Sequence, residues 1–482
     1  VLVVLVLAAL AAGALMYRAQ AEITAAVAGA RAHQAYAAAA SGLEQAVAIL
    51  KVHRADRAVW YDNPELFRAR LVCDDGANRW YYTIYAYNGE DPDNVRYGMD
   101  DEAGRININT ADANALAALP NMTPELVDCL LDWRDADSDQ RPHGAEQDYY
   151  DRLPQPYVMR NGPLATLEEL LLVKGFTASV VYGEDQNLNG LLEKNEDDGD
   201  TSFPPDNGDG KLDRGLAGAA TVWSYDLDVD SQGQRRTNIN TAAAPRSAGQ
   251  GDDANSEAAP EEEPAPARQS GRGTRGGASG GQGGASGRLP SQTARFLQVY
   301  AAEGNRLTHV AELLEARYQL KKDHLPLKAG AWVESGVTVR DLPALLDGYT
   351  AGTQPVLQGL VNVSTAPAEV LAALPGMGAD LAAQVIARRA DLAPEQAATT
   401  AWLVTEGILS PEQFKLAAPQ LTTRSNQFRL RVVGYGWPCG QYRVIETVVD
   451  LARGNPRTVY QRDLTGLGMP LAIDVEQKGL EQ

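Results

Sequence analysis

Cysteine and histidine are scarce in this chain. Three cysteines, Cys73, Cys129 and Cys439, stand far apart in 482 residues with no CxxC pair. At most one disulfide can form, and its partners cannot be read from spacing; an oxidising compartment is permitted, not demanded. The five histidines, His33, His53, His143, His309 and His324, are scattered without metal-ligand spacing. Neither HExxH nor a phosphate-binding GxxxxGKS/T loop occurs. No catalytic residue, organic cofactor or small-molecule substrate is proposed by any motif, and the chain reads as a non-enzyme. Basic charge is also short: 43 Lys and Arg face 63 Asp and Glu, a formal net charge of −20. Such a surface repels phosphate backbones and attracts cations, which disfavours nucleic acid as a partner. Residues 243–292 lack apolar matter: Leu289 is their only large aliphatic residue and they hold no aromatic. Acidic Asp252, Asp253 and Glu261 to Glu263 precede a Gly/Ser/Arg tract there, so nothing offsets the entropy of ordering and a disordered linker is expected.

Hydrophobic residues nonetheless make up 44% of the chain, enough for a sizeable core. The run Val1 to Met16 contains only Val, Leu, Ala, Gly and Met. As a helix it spans about 24 Å, slightly short of the roughly 30 Å hydrocarbon core. It begins without an initiator Met or a basic stretch, so the start is expected to be missing or processed. A signal-peptide core, a short membrane anchor and a buried helix all satisfy this run. A signal peptide would break into small residues and a new domain. Here the pattern continues without proline through Ile23, Val27, Tyr36, Leu43, Val47 and Leu50, which favours an anchor on a continuous helix of about 75 Å. Gly29 and Gly42 are its weak spots.

Beyond this helix, strand texture lies near both ends of the remaining chain. Arg79 to Tyr87 is aromatic and alternating, with Asn88-Gly89 as a turn, so it reads as a strand entering a hairpin. Phe428 to Tyr435 and Tyr442 to Leu451 alternate across a Pro/Gly break, and Thr458 to Tyr460 adds a third strand. One antiparallel sheet packed on the long helix is predicted, with everything between as an insertion. That insertion is mostly helical and repetitive. Residues 107–135 and 362–390 align without gaps, Asn107 with Asn362, Thr110 with Thr365 and Leu119-Pro120 with Leu374-Pro375, and a truncated third opening stands at Asn238 to Ala242. Thr110 and Thr365 read as helix N-caps, Pro120 and Pro375 as hairpin openers, and Thr123-Pro124 as the start of a second helix. Thr166 to Glu169 matches a capping box, and Thr308 opens a similar segment.

The sharpest local motif is Asp185 to Glu196, which matches D-x-(D/N)-x-(D/N)-G-x5-E throughout. Calcium takes six to eight oxygens at about 2.3–2.6 Å. Asp185, Asn187 and Asn189 would supply side-chain oxygens, Leu191 a carbonyl, Glu193 a water-mediated contact and Glu196 a bidentate closure, with Gly190 at the sharp turn. A second acidic loop, Asp206 to Asp213, has Pro205 where the first carboxylate belongs, so Asp209 and Asp213 are the donors left for a second calcium site, which stays open. A rival reading starts from Leu374 to Gly378. Helix–hairpin–helix turns of this kind bind DNA phosphates, as in competence-type DNA receptors, which this segment resembles, and Arg388 and Arg389 lie near. Against an envelope-anchored DNA-binding protein stand Glu125, Asp128, Asp132 and Asp135 around the first copy, since phosphate binding needs a basic track.

The apolar start, the split sheet, the repeated NxNTA…LP units and the acidic loop together resemble the K-type minor pseudopilins of type II secretion, over residues 1–466 apart from the linker. Asn107 to Asp137, Asn238 to Ala242 and Asn362 to Arg389 carry the resemblance most specifically. It implies an α+β, pilin-like fold whose long N-terminal helix packs on an antiparallel sheet, with a large all-α lobe of helix–hairpin–helix (SAM-like) repeats inserted. The parts would be an anchor helix (1–55), the first sheet segment (56–103), the lobe (104–242 and 293–425) split by the linker (243–292), the closing strands (426–466) and a tail (467–482). The resemblance further implies prepilin processing, a single pass through the bacterial inner membrane and a periplasmic bulk. The subunit would join I-, J- and H-type minor pseudopilins and the major pseudopilin at a tip that primes pseudopilus assembly for export across the outer membrane. Family members bind calcium in the lobe, which fits Asp185 to Glu196. K-type subunits lack the glutamate usual near the processed end of pilin-like chains, and here the first acidic residue is Glu22.

Overall fold

From Leu2 to His53 the chain is one unbroken helix, α1, as an Ala-rich stretch without proline favours. The computed structural model describes residues 1–89, 91, 94–242 and 289–471. It divides into two units, Val1–Asp228 with Gln354–Gln482, and Val229–Thr353. Most of the expected linker, and the tail beyond 471, lie outside the described residues. The last residues of the linker do not: Ser291 already opens the helix Ser291–Ala302, where Thr293, Phe296 and Leu297 are buried.

In the first unit, residues 1–31 of α1 are exposed throughout, whereas Ala35, Ala38, Ala39, Gly42, Ala46 and Leu50 are buried. That three-to-four spacing is one helical stripe. It faces a sheet of strands β1 (Arg70–Asp74), β2 (Arg79–Tyr85), β3 (Asp100–Asp101), β4 (Gln427–Trp437), β5 (Tyr442–Asp450) and β6 (Arg457–Asp463). The order is β1-β2-β4-β5-β6, with β3 also on β4, and all pairs are antiparallel. The architecture is thus α+β, a long N-terminal helix on an antiparallel sheet. Val432 sits between Ile84 and Ile445 in register, and these join Phe428, Leu430, Tyr82 and Leu50 in the core under the helix. Contact there is close because the partners are small. A Cβ on Gly42 would lie 2.7 Å from the Tyr82 ring, and one on Gly434 would collide with Ala35 O and Ala39 N. Gly42, a weak spot by propensity, is therefore a site of close approach.

The opposite face of β4 and β5 is charged and still buried. Arg429 pairs with Glu102 at 2.7 Å and Glu446 at 3.2 Å, Arg431 with Glu446 at 2.8 Å, and Arg105 with Glu102 at 3.0 Å. Burial pushes the Glu446 carboxyl up, but Arg429, Arg431 and Arg462 outweigh it and hold it well below the usual carboxylate range. Charges so deeply placed persist only when paired, and these tie the start of the inserted segment to the sheet.

The hairpin and the helix caps depart from the sequence expectation. The hairpin is made on the other side of β2: Asp75 Oδ1 accepts from the Ala77 and Asn78 amides at 2.9 and 2.7 Å and turns β1 into β2. Past Tyr85 the pairing continues among the described residues as a bridge of Ala86 with Arg96. Among the caps, Asp112, not Thr110, serves α2 (Ala113–Ala117), accepting from the Ala115 amide at 2.8 Å. Thr365 instead donates to Asp101 at 2.6 Å, while Thr123 does cap α3 (Pro124–Arg134). Thr166 makes no side-chain cap to the 3-10 turn Leu167–Leu172.

The openings at Asn107, Asn238 and Asn362, the last with Ser364 in place of the second Asn, share one construction. Asn107, Asn238 and Asn362 each accept from the amide two residues on, at 3.0, 2.9 and 2.9 Å, an Asx-turn. Each opening comes after a two-residue parallel pairing, of 106–107 with 220–221, 237–238 with 349–350 and 361–362 with 421–422. In the first copy the Asn109 amide donates to Leu164 O at 2.9 Å and its oxygen accepts from Leu164 N at 2.8 Å. In the second unit Asn240 holds Leu307 the same way, both bonds 3.0 Å. The opening that looks truncated in sequence thus heads a unit with its own core of Ile239, Phe296, Leu307, Leu313 and Val337. His309, not Thr308, caps its 3-10 turn Val310–Leu313.

Candidate cation-binding loops

The Asp185–Glu196 loop begins where the helix Ala178–Tyr182 ends at Gly183, whose φ of 64° and close neighbour Asp213 O leave no room for a side chain. Asn187 Oδ1 accepts from Asn189 N at 3.0 Å, and Asn189 Oδ1 from Leu191 N at 2.8 Å. Gly190 adopts φ 74° between them. The Asn187 and Asn189 amides donate to the two Glu193 oxygens at 2.9 and 3.3 Å, and Glu193 N donates to Glu196 Oε2 at 3.0 Å. Asp185 and Glu196 are both 2% exposed, and Asp185 Oδ1 has no hydrogen-bond partner among the described residues. Burial pushes the Asp185 carboxyl up against the charges of Arg214 and Arg431. Burial likewise pushes Glu196 up to about 7, with Asp185, Glu193 and Glu184 adding to the rise. Among the described residues, however, the carboxylate oxygens of Asp185, Glu193 and Glu196 do not all come within 4.8 Å of one another. Asn187, Asn189 and Glu193 also line a cavity of about 260 Å³ with Tyr85, Val444 and Leu464.

Asp209 and Asp213 are not gathered with these donors. Asp209 accepts from Lys211 N and the Asn207 amide. Asp213 accepts from Gly215 N at 2.8 Å and the Asn121 amide at 3.2 Å, and its backbone pairs with Glu184. Glu184, buried and absent from the sequence motif, is the acid that joins the second loop to the first.

A different trio converges elsewhere. Among the described residues, Asp135, Asp137 and Glu146 place carboxylate oxygens within 4.8 Å of one another. Sequence reasoning missed them, since they fit no spaced motif. The arginines counted towards DNA binding are engaged within the fold. Arg388 donates to Glu406 at 2.9 and 2.7 Å, and Arg389 to Ala366 O at 2.6 Å and Val363 O at 3.3 Å. Arg134, at the matching position of the first copy, grips Ile108 O and Ala111 O.

Residues 104–182 match the family model for type II secretion system protein K. Over that stretch the chain is similar to protein K. The matched stretch takes in the first NxNTA copy, α2, α3 and the Asp135–Glu146 loop, and stops short of Asp185. Among solved structures, the chain is similar to the GspK-GspI-GspJ complex of the type 2 secretion system of enterotoxigenic Escherichia coli. The identity is 11% and the TM-score 0.37, over 93% of this chain and 99% of that one. No curated protein matches the chain.

Proposed function

We propose that the chain is a structural minor pseudopilin of type II secretion, held in the bacterial inner membrane by a single pass of α1 with its bulk in the periplasm. It acts at the tip of the pseudopilus, where it primes assembly together with I-, J- and H-type minor pseudopilins and the major pseudopilin. The observation that carries this reading is the division of α1. Its first 31 residues are exposed and rich in Val, Leu and Ala, while its second half is packed on the sheet. It is also long and apolar enough to cross a membrane. A rod built this way keeps its apolar half for lipid or for neighbouring helices. The protein K segment gives the reading its secretion context.

The paired helices α2–α3 and their counterparts Ala368–Ala372 and Ala379–Arg389 act as helix–hairpin–helix units that build the lobe and do not read DNA. Arg134 and Arg389 are spent on carbonyls of their own repeats, and the net charge of −20 opposes phosphate. Calcium bound by Asp185, Asn187, Asn189, Leu191, Glu193 and Glu196 would pin a loop that has little core of its own, and Asp209 and Asp213 would serve a second ion only after rearranging.

Co-purification from membranes with tagged I- and J-type subunits tests the assignment. Retention of both partners by the full chain is expected, and its loss on replacing Leu5, Leu7 and Leu10 with Asn. Failure of the unaltered chain to retain either partner would reject the tip role.

A further inference from the structure

The loop between α3 and the short helix α4 (Gln147–Tyr150) is closed by charges that do not balance. Asp132, fully buried, and Asp135 share the Arg141 guanidinium, at 2.6 and 2.7 Å. The Arg141 amide also donates to Asp132 Oδ2 at 3.2 Å. Gly144 lies so near that carboxylate that any side chain there would strike Asp132 Oδ2. The chain is thereby folded back on the end of α3, and this brings Glu146 to Asp135. Arg141 occupies Asp135 Oδ2 and leaves Oδ1 buried without a partner among the described residues. Glu146 is 7% exposed, and neither of its carboxylate oxygens has a partner among the described residues. It stands at the N-cap of α4 yet makes no side-chain cap bond, so its carboxylate serves something other than the helix end. Three buried carboxylate oxygens without a partner among the described residues, on two acids whose carboxylates approach within 4.8 Å, are costly unless something positive lies between them.

We infer that Asp135, Asp137 and Glu146 bind a divalent cation of the hard, calcium-like class. The donors are all carboxylate oxygens with no His or Cys, which selects against zinc and the softer metals. Oxygens up to 4.8 Å apart suit bonds of about 2.3–2.6 Å better than the tighter octahedron of magnesium. Asp137 is exposed and gives the ion its entry side. Once bound, the ion fastens the C-terminal end of α3 to the start of α4, where Trp133 and Tyr150 already meet edge to face at 5.2 Å. The site is separate from Asp185–Glu196 and does not rest on it.

The test is equilibrium dialysis of the full chain in detergent, stripped with chelator and returned to calcium. Glu146→Gln, which keeps the side-chain shape, is compared with the unaltered chain and with the double variant Asp185→Asn, Glu196→Gln. The Glu146→Gln chain is expected to bind one calcium fewer, and the double variant to keep the Glu146-dependent ion. Unchanged binding in Glu146→Gln overturns the inference. Should that variant misfold, Asp137→Asn, an exposed change, is expected to weaken binding by at least about tenfold on losing one of the carboxylate ligands, and unchanged affinity is equally fatal. One ion in the unaltered chain, lost with Glu146→Gln and kept by the double variant, would uphold this site and reject the Asp185–Glu196 loop.

Discussion

His309 caps a turn through its ring: Nδ1 accepts from Ala311 N at 3.2 Å, so the imidazole must be neutral there. Burial lowers its pKa from 6.5 to about 4, Arg236 helping and Glu312 opposing. Because the folded value lies below the ordinary one, the cap contributes in full above pH 6.5 and is lost as pH falls through about 4. His309→Asn keeps a capping oxygen without a titrating group. The unaltered chain is expected to lose more stability than this variant between those limits, by up to about 3 kcal/mol. Urea midpoints that fall in parallel for the two chains would refute it. Calcium binding by the carboxylates of the Asp185–Glu196 loop is open to a stability test as well. At about a hundred times Kd, calcium would stabilise the unaltered chain by about 2.7 kcal/mol. The Asp185→Asn, Glu196→Gln chain is expected to lose that loop's share of the thermal shift, and an undiminished shift would dismiss the loop as a site. The turns of this loop were legible because Asn187, Asn189 and Gly190 succeed one another in a spaced motif. Asp135 and Glu146 were not, since only the turn at Arg141–Gly144 brings them together.

Helix and sheet meet through glycine, and that contact predicts opposite outcomes for two formally similar changes. Gly434→Ala would drive a methyl group into the backbone of Ala35 and Ala39. Backbone cannot swing aside as a side chain can, so α1 must lift, at a cost of about 1–3 kcal/mol or more. Gly29→Ala meets nothing within 4 Å and removes a flexible residue from a helix, which is worth roughly 0.5–1 kcal/mol in the favourable direction. Thermal melts should separate the two, and equal effects would mean that the helix does not lie on the sheet at Gly434. At this scale β4 and β5 were readable because their apolar residues alternate over many positions of buried strand, whereas β6 is mostly exposed and showed only in Thr458 to Tyr460. β1 was not, because Arg70–Asp74 is an exposed edge whose only apolar residues are Leu71, Val72 and Cys73. The caps at Thr110 and Thr365 went astray for a different reason. Short polar residues crowd those positions, and the winner is decided by tertiary partners: Asp101 takes the hydroxyl of Thr365, which frees it from its own helix. The third NxNTA copy looked truncated because residues 243–288 separate its opening from the helix Ser291–Ala302.

For the molecule as a whole, the exposed apolar residues and the buried residues of α1 fall in different stretches. Every residue from Val1 to Arg31 is exposed, and the buried stripe begins at Ala35. The core under the sheet, built from Ala39, Ala46, Leu50, Trp60 and Phe428, draws nothing from the earlier turns. Removing residues 1–31 therefore deletes no buried side chain and leaves the ion pairs of Glu102, Arg429 and Glu446 in place. The shortened chain is expected to leave the membrane fraction and to melt within a few degrees of the full chain in detergent. It should also fail to retain other pseudopilins as firmly, because the exposed Val, Leu and Ala surface is what a neighbouring helix would pack on. An unfolded product would mean that the first half of the rod supports the fold. A folded product that still pelleted with membranes, or bound partners undiminished, would mean that attachment resides elsewhere in the chain and that the apolar half of α1 has another use.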